Sequence, residues 1–291
     1  MLPNSTKRRA LCISGGGSKG AYSLGVIKAL LESGRQYDVI TGVSVGALIG
    51  AHFAMHPKEK HLEVYPGIEK IWLDIQSNNS IYRPWAPSFL TYIWSFWKGG
   101  IYDMSPLRAI LVEEVNREKL LHSGIIFEVG VCSIQSGAYK SINLSHELEN
   151  NKQSIDWIWA SCVFPVLFPP VTIDGEQWVD GGVKNVIPIK DVLKHNIDEV
   201  DVVITGPTKN NVTTDKSHIY SAIDVGLRSA ELLSDKAYSS DLEDVSTFFN
   251  AVKMQIFEPA SQINDDSFKF DPAEIRKLIQ MGYEETKSKL L

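Results

Sequence analysis

Cysteine is scarce in this chain, and a basic excess, long apolar runs and metal-ligand spacings are missing altogether. The three cysteines, Cys12, Cys132 and Cys162, form an odd, scattered set, each inside an apolar run. That excludes a disulfide framework or a Cys-x-x-Cys metal site and predicts buried thiols in a reducing compartment, with no metal and no cofactor. Acidic residues outnumber basic ones by 35 to 29, for a net charge of −6. No cationic surplus is left to neutralise the phosphates of a nucleic acid polymer. No stretch approaches the ~18–20 apolar residues of a membrane span. Lys7, Arg8 and Arg9 open the chain, but the apolar run behind them stops at Gly15, too short for a signal-peptide core. The expectation is a cytoplasmic protein. Contact with a membrane surface stays open, because a local patch decides it rather than the total charge.

What is present is ordinary globular material, 44% hydrophobic and 22% charged over 291 residues. Leu11–Ser14 reads as a short buried strand and Ala21–Ser33 as a helix with apolar positions Leu24, Ile27, Leu30 and Leu31, closed by Gly34. A second strand and a second helix follow. This β-α-β-α opening predicts an α/β fold with a mostly parallel central sheet and helices on both faces. Further on, Ser105-Pro106 opens a helix expected to reach Lys119, and Ile125–Gln135 and Ala138–Leu144 read as paired strands. Asp156–Phe164 reads as helical. Val171–Ile173, Asp174-Gly175 and Gln177–Val179 carry the strongest hairpin signal. A short helix over Pro188–His195, a buried strand over Val200–Ile204, a polar loop over Lys209–Lys216, a long helix over Ser217–Tyr238, a strand over Met254–Phe257 and a helix opened by Asp271-Pro272 complete the reading. No repeat or linker interrupts it, so one domain over residues 1–291 is expected.

The chain is organised around Thr41-Gly42-Val43-Ser44-Val45-Gly46-Ala47-Leu48. An apolar run leads in and a helical run, Ala47–Met55, leads out, which is the strand–turn–helix setting that gives G-x-S-x-G a meaning. A serine on so sharp a turn holds strained backbone, and the residues two before and two after it must lack side chains; Gly42 and Gly46 do. The helix behind Ser44 aims free N–H groups at the same point. The plainer alternative is a solvated serine on a glycine-softened turn.

A serine alcohol needs a base and donors for the oxyanion it creates. Gly15, Gly16 and Gly17 lie between a strand and a helix start, where unpaired N–H groups collect. Lys19 beside them reads equally as a local charge or as a solvated side chain. The same loop matches G-x-G-x-x-G, but the acidic partner that a dinucleotide fold requires is absent from the end of the second strand; Asp38 stands at its start. Seven histidines follow Ser44 (His52, His56, His61, His122, His146, His195 and His218), and none lies in a glycine-bounded loop at a strand end. Asp180 does follow a strand and precedes Gly181-Gly182; partial desolvation there would raise its proton affinity, as suits a base. Alone, it also reads as a simple Asp-Gly turn.

The glycine loop, the Gly-Val-Ser-Val-Gly elbow and Asp180-Gly181-Gly182, in this order, resemble the patatin-like phospholipase family, and Ala160-Ser161-Cys162-Val163-Phe164-Pro165 with Phe168-Pro169-Pro170 resembles the segment before that family's aspartate. The likeness runs from about Ala10 to Val186, with the C-terminal helices over 217–291 expected to pack on that part. It implies a three-layer α/β/α fold and a Ser44–Asp180 dyad, with Gly15, Gly16, Gly17 and Ser18 as the oxyanion hole and Lys19, Gly20, Gly181 and Gly182 as supporting positions. It further implies hydrolysis of phospholipid acyl esters at a membrane surface without a metal. Two departures are visible: Ser18-Lys19 where the family often has the basic residue directly, and Gly-Gly after the aspartate where Gly-Ala is equally common. Some bacterial relatives await a small nucleotide or a partner, so regulation, like a homo-oligomer, remains open. The aromatic stretch Ile81–Tyr102, with Trp85, Trp94 and Trp97, reads as core, though its spacing suits no single helix face, as a lid or membrane contact, or as a protein contact. Two alternatives stand beside the hydrolase: a non-enzymatic lipid- or protein-binding scaffold, and a Ser-His-Asp esterase.

Overall fold

In the computed structural model, residues 7–86, 90–146, 151–206, 222–248, 252–261, 263 and 266–291 are described. The first half runs β1 (Arg9–Ile13), α1 (Gly20–Glu32), β2 (Val39–Val43), α2 (Val45–Ala54), α3 (His61–Leu73), β3 (Arg83–Pro84), α4 (Leu90–Lys98), β4 (Tyr102–Asp103), α5 (Ser105–Glu114) and α6 (Arg117–His122). The second half runs β5 (Ile126–Ser133), β6 (Tyr139–Asn143), α7 (Asn151–Ala160), β7 (Val171–Ile173), β8 (Glu176–Asp180), α8 (Ile189–Leu193), β9 (Glu199–Val203), α9 (Ala222–Phe248), β10 (Lys253–Phe257) and α10 (Pro272–Leu290).

The main sheet has the order β10-β9-β1-β2-β5-β8-β7, with β6 also on β5. The pairs from β10 to β5 are parallel, while β6, β7 and β8 join antiparallel. Alternate residues of β1 enter different layers, as strand geometry demands. Leu11 and Ile13 join the larger core with α1, α2, α3 and α10, whereas Ala10 and Cys12 join a second core with residues of α8 and α9. The sheet is therefore covered on both faces. All three cysteines are buried and unpaired with one another.

Several boundaries differ from the sequence reading for local reasons. The helix expected over Ser105–Lys119 breaks after Glu114, because Asn116 turns extended and its side chain caps a new helix at the Lys119 N–H. The helix expected over Asp156–Phe164 is α7, shifted to Asn151–Ala160. The aromatic stretch forms the two-residue hairpin strands β3 and β4 around α4. Asp271 caps α10 as its sequence predicts, accepting from the Ala273 and Glu274 N–H groups. The expected loop Lys209–Lys216 lies outside the described residues, as do the first residues of the helix expected from Ser217; α9 itself extends on to Phe248. Among the described residues no helix is long and apolar enough to cross a membrane, and no cluster of side chains could hold a metal.

Candidate active site

Strand β5 is the ruler of the site. β2 pairs with its first half, ending at Val43 opposite Gly130, and β8 pairs with its second half, ending at Asp180 opposite Val131. β6 fills the other edge of β5 over Glu128–Cys132. β2 and β8 must then share one edge and meet there end to end, which brings Ser44, just past β2, up to Asp180 at the end of β8.

Ser44 sits at φ 57°, ψ −128°, a left-handed conformation that costs a non-glycine residue strain. A side chain at Gly42 would overlap the Gly46 carbonyl, and one at Gly46 would overlap the Ile13 carbonyl. Both neighbours are thus glycine by steric necessity. Below the turn, Ser161 accepts the Ser44 N–H at 2.9 Å and donates to the Gly130 carbonyl at 2.7 Å. The Cys162 thiol donates to the Ser44 carbonyl, and burial pushes that thiol up, so it rests as a neutral side chain.

Asp180 is 3% exposed. Burial pushes its carboxyl up to about 7, while hydrogen bonds from the Ser44 hydroxyl and from the Gly182 N–H, the latter at 2.7 Å, pull it down. From α9 a polar stripe at Ser234, Tyr238 and Asp241 bonds, in turn, the Gly181–Val183 turn after it, the segment past β9 and the segment that leads into α8. Ser234 donates to the Gly182 carbonyl at 3.1 Å, Tyr238 to the Gly206 carbonyl, and Asp241 accepts the Val186 and Ile187 N–H groups. Spaced i, i+4, i+7, these residues share one helix face. That spacing was their sequence signal, but nothing near α9 in the chain reveals that the face meets the Asp180 turn. Ser161 was visible only as part of a motif, with no role attached.

The glycine loop lies alongside, with Gly15 against the Ser44 side chain. Its donors are not equivalent. The Gly15 N–H is given to the Val186 carbonyl at 3.1 Å and the Ser18 N–H to the Ser267 carbonyl at 2.7 Å, which leaves Gly16 and Gly17. These two stand at φ 152° and φ 57°, and a side chain would overlap Thr205 at the first and the Ser267 carbonyl at the second. Lys19 is half-buried rather than freely solvated, and Gly20 opens α1 where a side chain would strike Val45 and Trp72. None of the histidines with a described hydrogen bond reaches Ser44. His52 bonds the Val64 carbonyl, His61 the His56 carbonyl, His122 the Glu118 carbonyl, and His195 the Glu128 carboxylate at 2.7 Å.

An apolar cavity is lined by Gly17 and Ser44, by residues of α2, α3 and α5, and by Tyr82, Phe168, Phe268 and Phe270. On the flank, α4 presents Trp94 and Trp97, 49% and 86% exposed, with the Lys98 ammonium over the Trp85 and Trp94 rings.

A mixed α/β sheet thus carries a strained serine at a strand–helix turn, with a buried carboxyl beside it and an apolar cavity adjoining. The patatin-like phospholipase family model matches residues 11–193, and the chain belongs to that family. It is 28% identical over 217 residues to a patatin-like phospholipase domain-containing protein of Aspergillus niger, covering 67% of this chain and 27% of that protein. It is 26% identical over 211 residues to the lysophospholipase NTE1 of Candida albicans, covering 69% and 13%. The chain thus spans about a quarter or less of the length of these curated relatives. Among solved structures, VipD from Legionella pneumophila matches over 98% of this chain and 66% of that one, at 15% identity and a TM-score of 0.46.

Proposed function

We propose that this chain is a lipid acyl hydrolase of the phospholipase A type, working through a Ser44–Asp180 dyad. The observation that carries the reading is the end-to-end meeting of β2 and β8 along β5, which sets the buried Asp180 carboxyl beside Ser44, where burial raises its proton affinity to about 7. A base poised near neutrality is ionised often enough to accept a proton and basic enough to hold it.

In the reaction, Ser44 Oγ adds to the ester carbonyl as its proton passes to Asp180. The Gly16 and Gly17 N–H groups hold the oxyanion. Collapse expels the leaving alcohol, which takes the proton back from Asp180, and leaves an acyl-serine. A water then gives its proton to Asp180 and attacks the acyl carbon; collapse breaks the Ser44 Oγ–carbon bond, Ser44 Oγ takes the proton back from Asp180, and the free acid leaves. Substrate would arrive at a membrane surface, met by Trp94, Trp97 and Lys98 of α4, side chains suited to the water–lipid boundary.

The test is fatty acid release from phosphatidylglycerol and phosphatidylethanolamine vesicles by the wild type, Ser44→Ala and Asp180→Asn. Both substitutions should lower turnover by about a thousandfold or more with unchanged circular dichroism. Undiminished turnover in Asp180→Asn overturns the dyad. Vesicle binding without release by the wild type points instead to a scaffold.

A further inference from the structure

The cavity has a direction. Along α2 and its two capping residues it touches Ser44, Val45, Leu48, Ala51, His52 and Met55, with Ser44, Leu48, Ala51 and Met55 forming one helical stripe running away from the serine. α3 runs antiparallel to it. Trp72 lies where a side chain on Gly20 would also meet Val45, while the Val64 carbonyl bonds His52, further along α2. α5 runs the same way as α2: Leu107 N–H bonds the Ile81 carbonyl near the start, and the residue beyond its far end, Asn116, bonds the Met55 sulfur. Ile68 and Trp72 of α3 and Leu107, Leu111 and Val115 at and beyond α5 complete the walls. Exposed Glu114 stands at the far rim beside His52, whose proton affinity burial lowers and Glu114 raises. The result is a single apolar tube between three helices, with its reactive end at Ser44.

Resting on the hydrolase reading above, the geometry points to a chain-length ruler: one extended long-chain acyl group lies along α2, and Ala51 is the position whose size decides how far it enters. Ala51 is seven residues past Ser44, about 10 Å at ~1.5 Å per residue, a depth that an extended alkyl chain reaches with roughly eight carbons. Met55 lies about 16 Å in, the depth of roughly a dozen carbons. A methyl side chain at the first depth leaves the passage toward Met55 open. The preferred substrates are esters of acids of about a dozen carbons or more, entering one chain at a time.

The experiment compares p-nitrophenyl butyrate, octanoate, dodecanoate and palmitate on the wild type, Ala51→Phe and Met55→Trp, with circular dichroism on each. In Ala51→Phe the dodecanoate-to-butyrate and palmitate-to-butyrate rate ratios should fall by on the order of tenfold or more. In Met55→Trp only the palmitate ratio should fall. A uniform loss across all four esters, or unchanged ratios in both variants, overturns the ruler. A second arm measures displacement of a fluorescent fatty acid by saturated acids of the same four lengths from Ser44→Ala, with and without Ala51→Phe. Affinity that climbs with length and is cut short by Ala51→Phe supports the tube even if no ester is hydrolysed, a result that would sink the dyad alone. Affinity indifferent to length overturns the tube.

Discussion

Replacing Asp180 with Asn should make the protein more stable above neutral pH while ending its proposed activity. Burial lifts the Asp180 carboxyl from an ordinary 3.8 to about 7, so the folded chain holds this proton more tightly than the unfolded chain does. Below about pH 4 both states are protonated and the group's favourable contribution is fully present. Between about 4 and 7 the unfolded chain releases the proton and the folded chain keeps it, so stability falls by about 1.4 kcal/mol per pH unit. Above about 7 both are ionised, and a cost with an upper limit of about 4 kcal/mol remains. Asn has no such titration, yet its carbonyl oxygen can still accept the Gly182 N–H. The gap in favour of Asp180→Asn should therefore widen by up to about 3 kcal/mol between pH 5 and pH 8. Asp241, also raised by burial, to about 6, is present in both proteins and cancels. The assay is urea unfolding followed by circular dichroism at both pH values. A gap that does not change with pH, or a wild type more stable than the variant at pH 8, would refute the reasoning.

Three further outcomes are expected. The wild-type kcat/KM for a soluble ester should rise with pH through a single ionisation and level off above about 7, as a base with that proton affinity requires; a profile flat from pH 5 to 8 would exclude Asp180 as that base. Ser161→Ala strips the Ser44 N–H of its acceptor, at a cost of about 1–3 kcal/mol, and should lower kcat more than it raises KM; a pure KM effect would place Ser161 outside the support of the turn. Gly46→Ala drives a methyl group into the Ile13 carbonyl and should lower Tm by about 6 °C or more, whereas an unchanged Tm would show that the elbow has room to spare.

The parts of the site set by short-range sterics were legible in the sequence. Gly42, which leaves room for the Gly46 carbonyl, and Gly16 and Gly17, held at positive φ, answer demands of local backbone, and the residues declare them, although Gly46 must also clear Ile13 on a neighbouring strand. The opening strands, the Asp174-Gly175 hairpin and the cap at Asp271 were readable for the same reason. What depended on distant partners was not. Nothing in the residues around Asp180 reveals that β8 meets β2 end to end on β5, and only the family resemblance linked Asp180 to Ser44. The unequal roles of Gly15 to Ser18 follow from Val186 and Ser267, far along the chain. The cavity is built from three helical stripes that each look like ordinary core until they are assembled.

The abutting of β2 and β8 along β5 has an evolutionary consequence. Ser44 and Asp180 take their positions from adjacent rungs of a single strand, so the intervening segments are free to lengthen, shrink or be rebuilt. A one-rung slip of β8 would do the opposite, turning the carboxylate to the far side of the sheet with the composition untouched. Diversification should therefore accumulate in the excursions that form the tube and the aromatic flank, while the pairing of these three strands stays fixed.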